Sequence, residues 1–358
     1  MESVFPFYLK NHILNTQTLI SFNIQKPNFR LINSHFLLSC CHNIIMQDII
    51  AKIPREALLS ELTKDRYIRK TNNGVNEIYI ITHHNSPNTM QEIGRLREVT
   101  FRHAGGGTGL ACDLDEFDTG PHPYQQLLVW NPEDQEIVGA YRFILCRDAE
   151  YKNGKVLLAT TELFDFSPEF YKTYLPYTIE LGRSFIQPLY QPSEQFRKGL
   201  FSLDNLWDGL GAIVVDNPDM KYYYGKVTMY TDFNVEARDY ILSFLKYYFP
   251  DPQKLVTPIH GIEINTDVSE FLKEIKDQDY KTGHAILNKL VRALGENIPP
   301  MVNAYSNLSS TMLSFGTAIN PTFGGVEETG ILVTIADIFK SKSDRHIETY
   351  NKELRERI

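Results

Sequence analysis

The segment NEIYIIT (76–82) is β-branched and aromatic throughout its centre and reads as a strand. Thr89-Met-Gln-Glu92 comes next with the spacing of a capping box, in which a hydroxyl and a carboxylate satisfy exposed helix amides. Ile93, Leu96 and Val99 then share one face of a helix through IGRLREVTFRH, and AGGGTG (104–109) stops it. QQLLVWN (125–131) and EIVGAYRFILC (136–146) are strand-like runs joined by PEDQ, the pattern of a hairpin. TIELGRSFIQP (178–188) is a further strand, ended by Pro188. LFSLDNLWDGLGAIVVDNP (200–218) predicts a helix leading into the strand YYYGKVTMYTDF (222–233), and VEARDYILSFLKYYF (235–249) has helical spacing up to Pro250. The order β-α-β-β-β-α-β-α predicts a mixed α/β fold. Beyond residue 260 the pattern offers one helix, HAILNKLVRALG, and two short apolar runs.

Residues 1–45 differ from the rest of the chain. Their only charges are Glu2, Lys10, Lys26 and Arg30, and no helical or strand period persists. Met46 opens an ordinary amphipathic run, QDIIAKIPREALLSELTKD, which predicts an N-terminal helical segment over 46–75. The expectation is therefore a leader over 1–45, an upstream reading artefact with natural translation from Met46 or a loose tail, with a real extension packed on the core as the alternative, then a core over 76–258 and a C-terminal extension over 259–358 packed on it.

Composition narrows the classes. Apolar residues make up 42% of the 358 and charged residues 22%, the balance of a globular protein. A formal charge of −8 argues against nucleic acid as a partner. Cys40, Cys41, Cys112 and Cys146 form no CxxC pair, so neither a zinc nor a redox motif is signalled and a reducing cytoplasm is expected. No apolar stretch reaches the roughly 20 residues of a membrane span.

Five pieces carry a resemblance: RLREVTF (95–101), CDLDEFD (112–118), VGAYRF (138–143), IELGRSFI (179–186) and IPPMVNAYSNLSSTMLSFGTAINPTFG (298–324). In this order and spacing the chain resembles the GNAT-fold, hemolysin-like acyltransferases. That branch includes the ornithine-lipid and glycine-lipid N-acyltransferases and is related to the acyl-homoserine-lactone synthases. The resemblance implies a GNAT-like central twisted mixed sheet with flanking helices. It also implies a site at Arg97, Phe101, Asp113, Asp115, Asp118, Arg142, Glu180 and Arg183, the positions matching the synthases' functional set. The first acidic position is Asp113 instead of the usual Glu, and the place of the synthases' Trp is rich in glycine. Both departures weaken S-adenosylmethionine as acceptor, and the C-terminal piece favours an amino acid acceptor and a lipid product.

Acyl transfer from a thioester needs a neutral amine held near the carbonyl, donors for the oxyanion and a proton for the leaving thiolate. In GNAT folds the pantetheine arm lies between two splayed strands, by resemblance 178–188 and 222–233. Glu180 is expected as the base, direct or through water, with Arg183 anchoring a carboxylate by its fork. Strand alternation puts residues three apart on opposite faces unless a bulge intervenes. The alternative for this pair is a structural salt bridge. Four carboxylates crowd into CDLDEFD, where Asp115 and Asp118 are expected on the acceptor side as bases or ammonium ligands, with a solvated acidic loop as the alternative. Arg97, Arg142 and Asp113 join them as substrate-binding or scaffold residues, and Phe101 as wall or core. GGGTG (105–109) predicts a mobile flap over the acceptor. The pyrophosphate loop of acetyl-CoA users is replaced by PSEQFRKGLFS (192–202), in which only Gly199 is available. A single phosphodiester suits that better, so acyl carrier protein is the expected partner and co-substrate, with acyl-CoA as the other donor. Arg197 and Lys198 are placed against its phosphate or acidic surface. Tyr222, Tyr223, Tyr224, Phe233, Tyr247, Tyr248 and Phe249 wall an acyl tunnel or fill the core. No bound cofactor or metal is expected, and the site of action is the cytoplasm, with peripheral membrane contact through the lipid product.

The leading reading is N-acylation of glycine or an ornithine-like amino acid by a long, 3-hydroxy or plain acyl chain. A lactone-type signal synthase and a non-catalytic lipid-binding protein are the alternatives. Dependence on S-adenosylmethionine marks the first, and the absence of thioester-dependent thiol release marks the second.

Overall fold

The computed structural model describes residues 46–191, 199 and 201–351. The expected leader therefore lies outside the described residues. Ile44–Ile358 form one compact unit. The helices are α1 (Arg55–Glu61), α2 (Pro87–His103), α3 (Glu116–Thr119), α4 (Ser202–Asp216), α5 (Val235–Tyr248), α6 (Ser269–Ile275), α7 (Tyr280–Ala293), α8 (Pro300–Ser306) and α9 (Lys340–His346). The strands are β1 (Tyr67–Lys70), β2 (Glu77–Ile81), β3 (Gln125–Asn131), β4 (Glu136–Leu145), β5 (Tyr151–Lys152), β6 (Lys155–Val156), β7 (Phe164–Phe166), β8 (Thr178–Ile186), β9 (Tyr222–Met229), β10 (Val256–Pro258), β11 (Leu313–Asn320) and β12 (Val326–Thr334).

Among the described residues, eight strands form one mixed sheet in the order β1-β2-β3-β4-β8-β9-β12-β11. Each neighbouring pair is antiparallel except β8 and β9, which run parallel. All ten residues of β4 are buried, the mark of a central strand covered on both faces. On one face α4 and α5 close a core around Leu127, Val138, Leu181 and Val227. The other face holds two clusters, one around Phe164, Phe170 and Tyr224, the other around Ile93, Leu96 and Phe101 of α2.

Three local expectations are corrected. Met46 to Pro54 is not helical. Pro54 disfavours helix in the residue before it, and the backbone instead reaches across, with Gln47 N donating to Gly109 O at 2.9 Å and Ile50 N to Ala111 O at 3.0 Å. Thr89 is not a cap either. Proline at the first helical position lacks an N–H to satisfy, so α2 begins two residues earlier, at Pro87. The carboxylate of Glu61, at the end of α1, caps it by accepting from Asn88 N at 3.0 Å and Thr89 N at 2.7 Å. Nor is the glycine-rich loop a free flap. The buried Glu98 carboxylate accepts from Thr108 N and Gly109 N, at 3.2 and 2.8 Å, and pins it.

The C-terminal part extends the sheet. Glu327–Met229 through Thr334–Tyr222 pair β12 with β9, so a boundary after 258 cuts one hydrogen-bonded layer. At its far end α9 sits on α4, where His346 Nδ1 meets Asp208 Oδ1 at 2.7 Å. Gly211 makes that contact possible, since a Cβ there would lie 2.1 Å from His346 O.

Candidate active site

The parallel ladder between β8 and β9 is short. It pairs Thr178–Leu181 with Tyr222–Gly225 and then stops, although both strands continue. Two features set where it stops. Gly225 brings the last rung close, since a Cβ would stand 2.8 Å from Leu181 O. Past that rung β8 bulges against β4, with a register shift between Ala140 and Arg142. Arg183 takes up the extra residue at φ +48°, in the left-handed region. The bulge undoes strict alternation, so Glu180 and Arg183, three residues apart, both line the gap. That gap is a cavity of about 170 Å³. Its walls are Phe101, Tyr230 and Phe323, the lips of β8 and β9, Pro299 and Met301 at the start of α8, and Tyr305 near its end. Two wider hollows, of about 540 and 800 Å³, share no lining residue with it.

Glu180 is 1% exposed. Thr160 N donates to its Oε1 at 2.9 Å, and the Tyr124 hydroxyl donates to Oε2 while accepting from Ala159 N at 3.0 Å. Burial pushes the Glu180 carboxyl above its ordinary value; the bonds from Thr160 and Tyr124 and the nearby Arg142 charge offset this only in part. A carboxylate so poised in a cleft has the properties of a general base.

Behind the cleft, three aspartates and three guanidinium groups form a matched cluster. Arg97, fully buried, donates to Asp118 Oδ2 at 2.8 Å, to Gln126 Oε1 at 2.6 Å and to Asp113 O at 3.3 Å. Gln126 Nε2 closes the ring on Asp118 Oδ1 at 3.0 Å. Arg142 bonds Asp115 at 2.6 and 2.7 Å and Asp118 at 3.2 Å. Arg183 pairs with Asp113 at 3.0 Å and stacks its guanidinium on Phe323, 4.3 Å from the ring centre. Burial alone would raise the Asp118 carboxyl, but the Arg97 and Arg142 charges outweigh it and hold the group well below the carboxylate range. Asp113 is the reverse, raised by burial against the pull of Arg183 and Arg97. CDLDEFD folds this way for a local reason. Asp115 caps α3 by accepting from Asp118 N at 3.2 Å, and Asp118 Oδ2 accepts in return from Asp115 N at 3.3 Å.

The expected residues thus divide. Glu180, Arg183, Arg142 and Phe101 line the cavity, whereas Arg97, Asp113, Asp115 and Asp118 stand behind it. Arg197 and Lys198 lie outside the described residues. Of the aromatic run, Tyr223, Tyr224 and Phe249 are buried in the cores and do not line the cavity. Sequence reasoning missed Tyr124, Thr160, Lys226 and Glu328. Among the described residues, no group of three or more His, Cys, Asp or Glu is arranged to hold a metal ion. In the same span no helix is long and apolar enough to cross a membrane.

Residues 96–198 match the acetyltransferase (GNAT) domain family. The glycine N(alpha)-acyltransferase of Bacteroides thetaiotaomicron is 54% identical over 310 residues, 85% of this chain and 91% of that protein. The glycine N(alpha)-acyltransferase of Phocaeicola vulgatus is 52% identical over 309 residues, 86% of this chain and 95% of that protein. Among solved structures, FeeM, an N-acyl amino acid synthase from uncultured soil microbes, aligns with a TM-score of 0.40 at 10% identity, covering 75% of this chain and 97% of its own. MesI, a CoA-dependent acyl-homoserine lactone synthase, aligns with a TM-score of 0.30 at 12% identity, covering 76% and 96%. With more than half of the aligned residues identical along nearly the whole of the two glycine acyltransferases, the chain belongs to the GNAT-domain acyltransferase family that contains them, and it is an acyltransferase.

Proposed function

We propose that this protein moves a long acyl chain from a carrier thioester to the amine of glycine, releasing an N-acylglycine and a free thiol. The observation that carries the reading is the buried, poised Glu180 at the fork where β8 and β9 part. The two named relatives support glycine as the acceptor.

The thioester arm lies in the gap past Leu181 and Gly225, where the facing edges of β8 and β9 no longer bond to each other. Glu180 removes a proton from the acceptor's ammonium. The freed amine attacks the thioester carbonyl, and backbone amides on the opened edges stabilise the oxyanion. Collapse expels the thiolate, which takes up the second proton shed by the nitrogen as the amide forms, and the proton held by Glu180 passes to solvent. Asp115 and Asp118, together with Arg97, Arg142 and Asp113, serve as a frame that sets the lip of β8. Asp118 is not the base here, because it has Arg97 and Arg142 for partners and its proton affinity is depressed. Acyl carrier protein is the proposed donor, with Arg197 and Lys198 meeting its phosphate.

The test incubates purified protein with glycine and an acyl-carrier thioester and reads free thiol together with product mass. The expected result is stoichiometric thiol and N-acylglycine. Thiol release without an amide product, or transfer only to S-adenosylmethionine, would overturn the reading.

A further inference from the structure

Lys226 belongs neither to the acid–guanidinium cluster nor to the proton path through Glu180, yet it stands at the fork. It is the first residue of β9 past the last rung, Leu181–Gly225. Tyr224 is the register partner of Glu180. Alternation therefore brings Lys226 to the same face as Glu180, roughly 7 Å further along the strand. Its side chain is 13% exposed and lines the cavity. Among the described residues its only ion partner is Glu328 of β12, at 2.7 Å. An ammonium carries three donors, so a single carboxylate does not exhaust it.

Glu328 fixes where that ammonium sits. Burial would raise its carboxyl, but the charge and hydrogen bond of Lys226, Asn320 Nδ2 donating at 2.9 Å and the charge of Arg183 together outweigh it. Arg183 from β8 and Lys226 from β9 both line the cavity, so each lip of the fork carries a cation. Arg97, by contrast, stands behind the cavity, and Arg142, which lines it, gives its Nη1 to Asp115 and Asp118. An α-amino acid carries its ammonium and its carboxylate on one carbon. With the ammonium at Glu180, the carboxylate falls toward the lip that Lys226 occupies.

We infer that Lys226, held in place by Glu328, binds the carboxylate of the acceptor across the cleft from Arg183 and thereby selects α-amino acids over simple amines. This rests on the reaction proposed above. It assigns a specificity residue on β9, and it draws the C-terminal strand β12 into substrate recognition.

Glycinamide is the probe, since it keeps the amine of glycine and lacks the carboxylate. Acyl transfer to glycine and to glycinamide is measured for the wild type, for Lys226→Arg and for the double variant Lys226→Met/Glu328→Gln. The double change removes both charges together, so no lone carboxylate stays buried. The expected result is a fall of at least about tenfold in kcat/KM for glycine in the double variant, through KM. Transfer to glycinamide stays within about twofold of the wild type, and Lys226→Arg recovers much of the loss. In the wild type alone, glycine is the better acceptor by at least about tenfold; equal kcat/KM for the two acceptors would overturn the inference without any variant. So would an equal fall for both acceptors, or a rise in KM for the acyl donor instead. A wild type that transfers nothing to glycine would remove the proposed reaction itself, a result distinct from an unchanged glycine-to-glycinamide ratio in an active double variant.

Discussion

Replacing Arg97 by Met separates a framing role from a substrate role for the acid–guanidinium cluster. Arg97 is fully buried, and its guanidinium supplies the 2.8 Å bond to Asp118, the 2.6 Å bond to Gln126 and the 3.3 Å bond to Asp113 O. Methionine fills much of the volume but removes every donor. Asp118 keeps Arg142 at 3.2 Å, so it is not stranded completely. Breaking a buried pair by deleting one partner costs about 3–5 kcal/mol, and the surviving contact puts this case near the lower end. In urea that loss lowers the unfolding midpoint by on the order of 1 M. The pH dependence adds a second signature. Asp118 is held below its ordinary value of 3.8 in the folded state, so its contribution is present above that value and is lost as the pH falls through the folded one. Without Arg97 the folded value rises toward 3.8, and the protein unfolds in acid at a higher pH than the wild type. Adding Asp118→Asn to Arg97→Met should recover part of the loss, because the lone charge is gone. A midpoint equal to wild type, with activity abolished, would refute the framing role and put Arg97 on substrate.

Arg183→Gly should be more stable than Arg183→Ala by about 1 kcal/mol in urea unfolding, because only glycine accepts the left-handed backbone of the bulge without strain. Equal stability would mean that the bulge relaxes. Tyr124→Phe removes a donor to the charged form of Glu180. A carboxyl already raised by burial should then rise further, and the acid limb of kcat/KM should move to higher pH; an unmoved limb would separate Tyr124 from the base. Gly211→Ala sets a methyl against His346 O, 2.1 Å from the ideal Cβ position, and should cost about 1–3 kcal/mol by displacing α9. An unchanged melting temperature would show that α9 moves freely.

Much of this fold is legible in the pattern of the chain, where one segment carries its own period. The helices containing Leu96, Leu206 and Ile241 and the β3–β4 hairpin are of this kind. What escaped depends on partners distant in sequence. The cap of α2 comes from Glu61, which no local motif links to Asn88. The short runs LSFGTAIN and VEETGILVT become β11 and β12 only by pairing with each other and with β9, about a hundred residues earlier. At the site, Glu180 and Arg183 were readable because their pairing posed a definite question, whether a bulge intervenes. Tyr124, Thr160 and Glu328 give no such signal, since each is a single polar residue whose meaning comes from what folding brings beside it. Lys226 left a faint one, a lone cation in the otherwise aromatic and apolar stretch YYYGKVTM.

The most direct measurement is turnover of Glu180→Gln with glycine and an acyl-carrier thioester, read as thiol released per minute alongside the thermal midpoint. The amide keeps the shape of the side chain, its oxygen accepting from Thr160 N and its NH2 donating to the Tyr124 hydroxyl, so the fold should hold, while loss of the base should slow transfer by about 10²–10⁴. A variant that melts with the wild type and also turns over at the wild-type rate would contradict the assignment of Glu180 as the base.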